Sequence, residues 1–414
     1  MDPAAPLTSS QTAIIVGASH AASQLAISLR QEGWDGRILV LGDEALAPYN
    51  RPPLSKTYLL GEESPQQLLI RADEAYARSG VEMRLGVRVT AIDRKARRVH
   101  TAAGEALDYD KLALCTGARV RRVNLPGATL TGVHYLRTIA DVDRIRADVQ
   151  QARHAVVIGG GYIGLETAAA LRQAGLEVTV LEMAPRVLAR VTAPEVSAFY
   201  QRVFAEEGVR ILTGVGVERL EGLERVTQVL CADGTRLAAD LVVVGVGVVP
   251  NVELAAEAGL DVQDGVLVDA CARTADPDIV AAGDCTRHPS PFYGLVRLES
   301  VPNAMEQAKS AAASLCGKDK PYRALPWFWS DQFDLKLQIA GLNQGYDALV
   351  FRGDRASGRK FSAFYLRAGR IIAADCVNRP QDFIASKKLI AAGAAVDPLL
   401  LANEEVKLAG LAIA

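Results

Sequence analysis

The chain has 414 residues, half of them hydrophobic, and a formal net charge of −2 at pH 7. This length exceeds that of a typical single domain, so two or three domains are expected, and the near-neutral charge does not point to nucleic acid or an anionic membrane as a partner. The longest apolar run, 241–249, is far shorter than a membrane span. Residues 1–11 lack the basic and apolar regions of a signal peptide, so we expect a short disordered lead-in.

Cysteine spacing is the next constraint. The cysteines stand at positions 115, 231, 271, 285, 316 and 376. No two of them form Cys-x-x-Cys, and an even but unpatterned set is typical of free thiols in a reducing cytoplasm. We therefore expect a cytoplasmic protein with free thiols, and we predict no metal site.

The chain begins with a strand, a turn of small residues, a helix and a second strand. Apolar runs predict strands at 12–16 and 37–41, with a helix at 21–31 between them. This order is typical of the opening of a nucleotide-binding α/β domain.

The turn after the first strand is a degenerate dinucleotide-binding fingerprint. Gly17, Ser19 and Ala22 occupy the three positions that are usually glycine. Alanine is tolerated at the third position, and Asp43 ends the next strand, where a carboxylate accepts hydrogen bonds from ribose hydroxyls. Taken alone, the motif is also compatible with an ordinary tight turn.

A proline-rich segment follows the second strand. The adjacent prolines Pro52 and Pro53 exclude a helix in 48–56, and a polar loop at this place suggests a binding loop. Residues 110–115 are predicted to be another strand, which enters the small-residue turn 116–118.

The pattern then restarts as a second unit. Strands are predicted at 155–158 and 177–182, on either side of a helix at 162–174. Further strands are predicted at 209–213 and 241–246.

The turn of the second unit is a complete fingerprint. Gly159 allows a tight turn, Gly161 lets the backbone approach a pyrophosphate, and Gly164 permits close packing of helix on strand, so the helix N-terminus faces the phosphates. Glu182 ends the next strand and places a carboxylate at the ribose. A carboxylate there repels a 2′-phosphate and favours NAD(H) over NADP(H), although the nearby Arg186 could soften that preference.

The remaining sequence contains one more buried strand and a change of pattern. Residues 279–284 form a run that ends in Gly283-Asp284 and belongs with the first unit. The second unit is therefore inserted into the first. Asp284 could hydrogen-bond the ribityl chain or pyrophosphate of a flavin dinucleotide, or it could be a helix N-cap. From about residue 327, short apolar runs between Gly and Asp turns predict an antiparallel sheet, with a helix at 382–391. The runs are 335–340, 348–351, 361–366 and 371–376.

In this order, the motifs resemble those of the FAD- and NADH-dependent ferredoxin reductases. This is the family of putidaredoxin reductase and the aromatic-dioxygenase ferredoxin reductases, within the glutathione-reductase-like flavoproteins, and the resemblance covers nearly the whole chain. The motifs that carry it are Gly17-x-Ser19, Arg51-Pro52-Pro53-Leu54-Ser55-Lys56, Thr116-Gly117, Arg137-Thr138, the complete second fingerprint, Gly247-x-x-Pro250-Asn251, Gly283-Asp284 and Trp327-Phe328-Trp329-Ser330-Asp331-Gln332.

The resemblance implies an α/β fold with two Rossmann-like nucleotide-binding domains and a C-terminal α+β domain. The FAD-binding domain would comprise 1–118 and 248–325, with the NAD-binding domain, 119–247, inserted into it. The C-terminal domain would comprise 326–414.

Family roles are carried over residue by residue. Lys56 resembles the lysine beside the central flavin nitrogen, and Glu166 resembles its acidic partner, because a cation there stabilises the anionic reduced flavin. A solvated loop lysine and a first-turn helix acid are the alternatives. Tyr162 resembles a gate over the nicotinamide pocket, or is simply a helix-start aromatic. Trp329 resembles an aromatic near the flavin ring, with core packing as its alternative.

The implied binding sets are larger. The FAD set is Gly17, Ser19, His20, Ala21, Ala22, Asp43, Arg51, Lys56, Val89, Thr116, Gly117, Arg137, Gly283, Asp284, Val301 and Trp329. The NAD set is Gly159, Gly161, Tyr162, Ile163, Gly164, Glu166, Glu182, Arg190 and Gly247.

The route by which electrons leave follows from the cysteines. Disulfide reductases of this class carry Cys-x-x-x-x-Cys near the flavin, and related oxidases carry a lone cysteine, whereas 48–56 has none. Cys115 and Cys285 are expected to pack in the core. A flavin that accepts a hydride from NADH and releases electrons singly suits a one-electron protein acceptor.

The resemblance thus implies an NADH:ferredoxin oxidoreductase. Its partner would be a two-iron two-sulfur ferredoxin that feeds a cytochrome P450 monooxygenase or a ring-hydroxylating dioxygenase. A rubredoxin reductase is one alternative, and a non-enzymatic redox sensor resembling apoptosis-inducing factor is another. We expect a monomer or weak dimer, with a basic rim for an acidic ferredoxin at Arg297, Lys336, Lys387 and Lys388, unless these are scattered solubilising charges.

Overall fold

The computed structural model describes residues 9–411. Most of the predicted lead-in, 1–8, therefore lies outside the described residues. Among the helices in the described range, none is long and apolar enough to cross a membrane.

The chain divides into two compact units. The first comprises Met1–Asn50, Gln66–Arg119 and Val249–Pro326, and the second comprises Arg51–Pro65, Val120–Val248 and Trp327–Ala414. The second unit therefore includes the segment that carries Lys56 as well as the second fingerprint and the C-terminal sheet. The three-domain division remains a prediction.

A parallel sheet of five strands forms the centre of the first unit. Its strands, in spatial order, are Ile279–Ala281, Lys111–Leu114, Thr12–Val16, Arg37–Gly42 and Val81–Leu85. The late strand completes this sheet, as predicted. Two long helices, His20–Gln31 and Val301–Leu315, pack together against one face, where an Ala-rich interface buries Ala22, Ala308 and Ala311.

Smaller elements complete the first unit. One three-stranded sheet consists of Val89–Asp93, Arg98–Thr101 and Ala106–Asp108. Another consists of Val266–Leu267, Thr286–Ser290 and Gly294–Val296. The two short helices are Asp73–Arg78 and Glu253–Glu257. Three elements contain a boundary between units, namely Pro65–Leu68, Ala118–Val120 and Val248–Pro250.

The second unit contains another parallel five-stranded sheet. Its strands, in spatial order, are Arg210–Thr213, Glu177–Glu182, His154–Ile158, Leu241–Val244 and Val133–Tyr135. The helices of this part are Thr57–Leu60, Ile139–Val149, Tyr162–Gln173 and Pro194–Glu206, and a small antiparallel sheet is formed by Val217–Gly222, Val226–Cys231 and Arg236–Ala238.

The C-terminal part of the second unit is an antiparallel sheet, as the alternating pattern predicted. Its strands, in spatial order, are Trp327–Gln332, Leu335–Gly341, Arg370–Val377, Lys360–Arg367 and Ala348–Asp354. The helices after it are Pro380–Ala391 and Pro398–Ala402, followed by a 3-10 turn at Leu408–Gly410.

The predicted strands are present, with ends shifted by up to three residues. The exclusion of a helix from 48–56 is wrong, because Pro52–Ser55 forms a 3-10 helix that is followed by Thr57–Leu60. Both prolines occupy the first helical positions. An N–H group at these positions has no acceptor within the helix, so proline loses no hydrogen bond there, and its fixed φ suits the helix. Proline was therefore a start signal here.

A buried histidine is expected to make the first unit less stable in acid. His288 is 1% exposed, packs edge-on against Tyr322, and has no hydrogen-bond partner for either ring nitrogen among the described residues. Burial lowers the pKa of His288 to about 4. The unfolded chain then binds a proton that the folded chain does not, so the free energy of unfolding rises with pH between about 4 and 6.5.

We expect His288→Phe to lessen this loss of stability in acid. At pH 5 the wild-type protein should have lost about 2 kcal/mol of its pH 7.5 stability through this group, and the variant should lose correspondingly less in urea unfolding at the two pH values. Equal losses in the two proteins would show that His288 is protonated without penalty in the fold.

Candidate functional site

The first glycine of the degenerate fingerprint has no room for a side chain. Gly17 has φ +109°, and a Cβ on it would lie 2.2 Å from the carbonyl oxygen of Cys115. Its N–H donates to the carbonyl of Leu41 at 2.8 Å. The turn therefore holds the start of helix His20–Gln31 directly over the end of the sheet, as a dinucleotide-binding turn does.

Other predicted FAD residues of the first unit gather around this turn. A Cβ on Gly42 would lie 2.4 Å from the Cβ of Ala18, which places the exposed Asp43 next to the turn. A Cβ on Gly283 would lie 3.2 Å from the Cβ of Ala21, so Gly283 and the neighbouring Asp284 approach the helix start. These small residues leave an open edge of the sheet that suits a dinucleotide.

A second group of predicted FAD residues is held by an asparagine. Asn251 Nδ2 donates to the carbonyl of Thr116 at 2.8 Å, and the Asn251 N–H donates to the carbonyl of Gly117 at 2.9 Å. The Thr116 hydroxyl donates to the carbonyl of Asn251 at 2.7 Å. The motif that ends in Asn251 thus fixes the 116–117 turn.

Two further predicted FAD residues lie on other elements of the first unit. Val301 begins the helix capped by Ser300, and Val89 is buried at the start of its strand.

The complete fingerprint has the geometry that each glycine predicts. Gly159 has φ +115°, with 2.4 Å between a built Cβ and the carbonyl oxygen of Gly245. A Cβ on Gly164 would lie 2.0 Å from the carbonyl oxygen of Gly159, so helix and strand touch there. By contrast, no heavy atom of the described chain lies within 4 Å of a Cβ built on Gly161. That open position fits the pyrophosphate of NAD(H).

The carboxylate of Glu182 is oriented by the backbone. One oxygen accepts from the N–H of Gly160 and the other from the N–H of Ala184, both at 2.7 Å. Glu182 therefore stands beside the glycine turn, where its remaining lone pairs can accept from a ribose. Of the other predicted NAD residues, Arg190 places its guanidinium 3.7 Å from a Cβ built on Gly247, and Ile163 is exposed at the helix start.

Arg186 is fully engaged with its own loop. Its guanidinium donates to the carbonyls of Thr192 and Ala189 and to the hydroxyl of Ser197, at 2.6 to 2.9 Å. The side chain that the sequence offered as a 2′-phosphate ligand is thus committed to holding the loop.

We therefore expect a strong preference for NADH over NADPH. Glu182→Ala should lower the ratio of kcat/KM for NADH to kcat/KM for NADPH by about tenfold or more, because it removes the repulsion between the carboxylate and the 2′-phosphate. Steady-state kcat/KM for both coenzymes checks this. Arg186→Ala is the matched control, and it should leave the ratio near that of the wild type. A ratio that collapses in Arg186→Ala instead would give that residue the role in coenzyme selection.

Lys56 and Glu166 form a buried ion pair. Lys56 Nζ lies 2.8 Å from Glu166 Oε2, and the side chains are 17% and 3% exposed. The Ser55 hydroxyl donates to the same oxygen at 2.5 Å, and the Ser330 hydroxyl donates to Oε1 at 2.6 Å. A buried carboxylate needs such partners. The sequence reasoning did not assign these roles to Ser55 and Ser330, although both stand in motifs that carry the resemblance.

The two aromatic candidates stand on the elements that carry Glu166 and Ser330, since Tyr162 begins helix Tyr162–Gln173 and Trp329 lies in strand Trp327–Gln332. Tyr162 stacks on Phe328 with ring centroids 4.6 Å apart, and its hydroxyl is buried without a hydrogen-bond partner among the described residues. Trp329 lies 5.5 Å from Trp327 between ring centroids. In the same unit, Arg51 donates to the carbonyl of Arg137 at 2.7 Å, so these two predicted FAD residues meet.

The predicted basic rim is only partly composed of free cations. Arg297 is 16% exposed and pairs with Glu299 and Asp264, so it is a poor candidate for steering a partner. Lys336 and Lys388 are exposed. Lys387 lies over the rings of Trp327 and Phe383, at 5.0 and 5.4 Å from their centroids.

All cysteines are free thiols, and burial raises the pKa of every one of them, including Cys115 and Cys285, which are fully buried. Protonated, buried thiols are poor nucleophiles.

We expect a variant with all six cysteines replaced by Ser or Ala to keep the wild-type rate of electron transfer to a protein acceptor within about threefold, since no thiol exchange is involved. The measurement is stopped-flow reduction of the acceptor by a variant shown to retain its flavin spectrum. Loss of acceptor reduction with intact flavin reduction would reveal a thiol relay.

Comparison with known proteins identifies the class. Residues 11–308 match the family model described as pyridine nucleotide-disulphide oxidoreductase, and residues 327–412 match one described as reductase C-terminal. The chain belongs to the pyridine nucleotide-disulphide oxidoreductase family, and it is an oxidoreductase with FAD and NAD(H) as cofactors.

Particular relatives are similar over almost the whole chain. Putidaredoxin reductase CamA of Pseudomonas putida is 46% identical over 409 residues, which cover 97% of each chain. The ferredoxin–NAD(+) reductase component of the anthranilate 1,2-dioxygenase system of Burkholderia cepacia is 44% identical over 397 residues, 95% of this chain and 98% of that one. The structure of a covalent putidaredoxin reductase–putidaredoxin complex matches with TM-score 0.94 and 45% identity, covering 98% of both chains. The resemblance read from the motifs is confirmed.

Proposed function

We propose that the protein is an NADH:ferredoxin oxidoreductase that reduces a two-iron two-sulfur ferredoxin. That carrier would feed a cytochrome P450 monooxygenase or a ring-hydroxylating dioxygenase in the cytoplasm. The relatives that act with putidaredoxin or in a dioxygenase system support this acceptor. We propose the FAD and NAD sets given above as the binding residues, and a monomer or weak dimer as the working form.

The observation that carries the proposal is the combination of the Lys56–Glu166 pair with thiols that cannot act as a relay. FAD, when bound, accepts two electrons from NADH and releases them one at a time. The protein's own part is to hold the positive charge of Lys56 in place through Glu166, which Ser55 and Ser330 fix in turn. Burial of five of the six cysteines and the raised pKa of all six thiols argue against a thiol relay, and they support direct electron transfer to a protein partner.

The remaining residues bind and orient. Gly159, Gly161 and Gly164 shape the turn whose backbone would hold the NAD pyrophosphate, and Glu182 would accept from the adenosine ribose. Tyr162, which stacks on Phe328, would act as the gate over the nicotinamide pocket. We propose Lys336, Lys387 and Lys388 as the cations that meet an acidic ferredoxin, with Trp329 nearby in the sequence as an apolar contact.

The test is anaerobic reduction of the purified holoprotein by NADH, followed by mixing with a panel of two-iron two-sulfur ferredoxins and rubredoxins. We expect a yellow protein with one FAD per chain and multiple turnovers with at least one ferredoxin. Turnover with rubredoxin alone would make the protein a rubredoxin reductase. Reduction by NADH without turnover on any acceptor would favour the redox-sensor alternative, and a colourless protein that takes up no FAD would contradict all three.

A further inference from the structure

The loop that follows Glu182 is held from the far end of the sequence. We define the coenzyme loop as residues 183–193, between strand Glu177–Glu182 and helix Pro194–Glu206. The N–H of Leu188 in this loop donates to the carbonyl of Gly160 at 2.9 Å, so the loop is attached directly to the glycine turn. Any contact that places the loop therefore also places the backbone that faces the coenzyme.

Two side chains of the C-terminal sheet region grip this loop. The hydroxyl of Tyr365 accepts from the N–H of Ala193 at 2.9 Å. Asn343 Nδ2 donates to the carbonyl of Val191 at 3.1 Å. These contacts fall on the last three residues of the loop, whereas Arg186 ties the loop only to itself and to the following helix.

Tyr365 is in turn oriented by a buried acid. Asp375 stands opposite Ala363 on the neighbouring strand, and Tyr365 lies two residues further along that strand, on the same face of the sheet. The Tyr365 hydroxyl donates to Asp375 Oδ2, and both side chains are at most 1% exposed. An acceptor for the tyrosine proton leaves the lone pairs of Tyr365 free for the Ala193 N–H.

We propose that Tyr365 and Asp375 are positioning residues for the coenzyme: through Ala193 they hold the coenzyme loop in the conformation that binds NAD(H). This inference rests on the NAD site of the proposed function. It gives the C-terminal sheet a part in coenzyme affinity, separate from any contact with a protein acceptor.

The charged and titratable groups around Asp375 do not replace this contact. Tyr162 on helix Tyr162–Gln173 and Tyr200 on helix Pro194–Glu206 interact electrostatically with Asp375, Glu166 acts on both of these tyrosines, and Asp331 on strand Trp327–Gln332 acts on Tyr200. Glu166 is occupied by Ser55, Lys56 and Ser330. The hydroxyls of Tyr162 and Tyr200 are buried without a hydrogen-bond partner among the described residues.

The test compares Tyr365→Phe with Tyr200→Phe. Each change removes one buried hydroxyl in the same unit, but only the first leaves a buried N–H without its acceptor. Binding of NAD+ to the oxidised holoprotein is measured by titration calorimetry, and kcat at saturating NADH is measured separately. We expect Kd to rise about tenfold in Tyr365→Phe with kcat within about twofold of the wild type, because the loop must be reordered by the coenzyme. Tyr200→Phe should bind as the wild type does.

A second pair of variants tests the acid. Asp375→Asn keeps a carbonyl oxygen as acceptor for the tyrosine proton, so its Kd for NAD+ should stay within about threefold of the wild type. Asp375→Leu removes the acceptor, so its Kd should rise as much as that of Tyr365→Phe. If Tyr365→Phe does not fold, Asn343→Ala removes the other grip on the loop from a less buried position and should raise Kd in the same direction.

The outcomes separate the two proposals. Equal Kd values in Tyr365→Phe and Tyr200→Phe, or a fall in kcat with Kd unchanged, would overturn the positioning role while the proposed function stands. A wild-type holoprotein that binds neither NAD+ nor NADH would overturn the proposed function itself.

Discussion

Glu166→Ala is expected to slow the reduction of bound flavin by NADH by about 10²–10³-fold, as loss of one electrostatic contact at a reacting centre commonly does. The substitution removes the acceptor of Lys56, Ser55 and Ser330 at once. Lys56 is only 17% exposed, so its charge loses both its partner and its fixed position. Stopped-flow absorbance of the flavin at saturating NADH measures the effect.

Lys56→Ala should produce a loss of similar size, and the double variant should be little worse than either single one. Such non-additivity is expected when each residue acts by holding the other. Lys309 and Glu306 are the matched control, since they form a 2.6 Å pair of the same chemistry at the surface. Their alanine variants should reduce flavin at the wild-type rate. Additive effects at Lys56 and Glu166 would mean that the two residues act independently.

The glycines of the second fingerprint should separate binding from folding. Gly161→Ala is expected to lower NADH affinity by tenfold or more, because its methyl group would occupy the open position that suits the pyrophosphate. Its urea unfolding should match that of the wild type. Gly164→Ala places a methyl group 2.0 Å from the Gly159 carbonyl oxygen, so the helix must move off the strand.

Gly164→Ala should therefore destabilise the second unit by about 1–3 kcal/mol or more, as overpacking of a close contact does. Gly161→Ala is the control for stability, since Gly161 has φ −80° and a Cβ built on it meets no neighbouring group of the described chain within 4 Å. If Gly161→Ala bound NADH normally, the coenzyme would have to lie elsewhere along the turn.

Local patterns predicted four of the five strands of each parallel sheet, but they missed Val81–Leu85 in the first unit and Val133–Tyr135 in the second. Continuous apolar runs such as Leu241–Val244 are buried on both faces, and glycine turns mark where strands give way to helices. The strand Glu177–Glu182 has the predicted ends because charged residues bound its apolar core. The acid predicted for the ribose could be named for the same reason, because Glu182 is the last residue of that strand.

Contacts between distant segments were beyond the reach of such patterns. Nothing local to Ser55 or Ser330 indicates that both hydroxyls bind one carboxylate, because the three residues are brought together only by packing. Tyr365 and Asp375 looked like ordinary members of alternating strands. Their burial, and the donation of the Ala193 N–H to Tyr365, depend on the sheet register and on the helix that follows the loop.

Arg186 shows the opposite case, in which a plausible chemical candidate is taken up by the fold. The guanidinium of Arg186, four residues after Glu182, looked available to a phosphate. It already donates three hydrogen bonds, two to carbonyls of the loop and one to the hydroxyl of Ser197. Sequence proximity does not reveal whether a cation is free, since backbone carbonyls compete for it.

The attachment of Glu182 to two backbone amides bears on the redesign of coenzyme use. The carboxylate that we expect to select against NADPH also accepts hydrogen bonds from the N–H groups of Gly160 and Ala184. A substitution that removes this carboxylate to admit the extra phosphate would therefore also release the turn that we propose for the pyrophosphate. An engineered variant that uses NADPH would need another hydrogen-bond acceptor at this position, such as a neutral amide side chain. It would also need a new cation for the phosphate, because Arg186 already donates to carbonyls of its own loop.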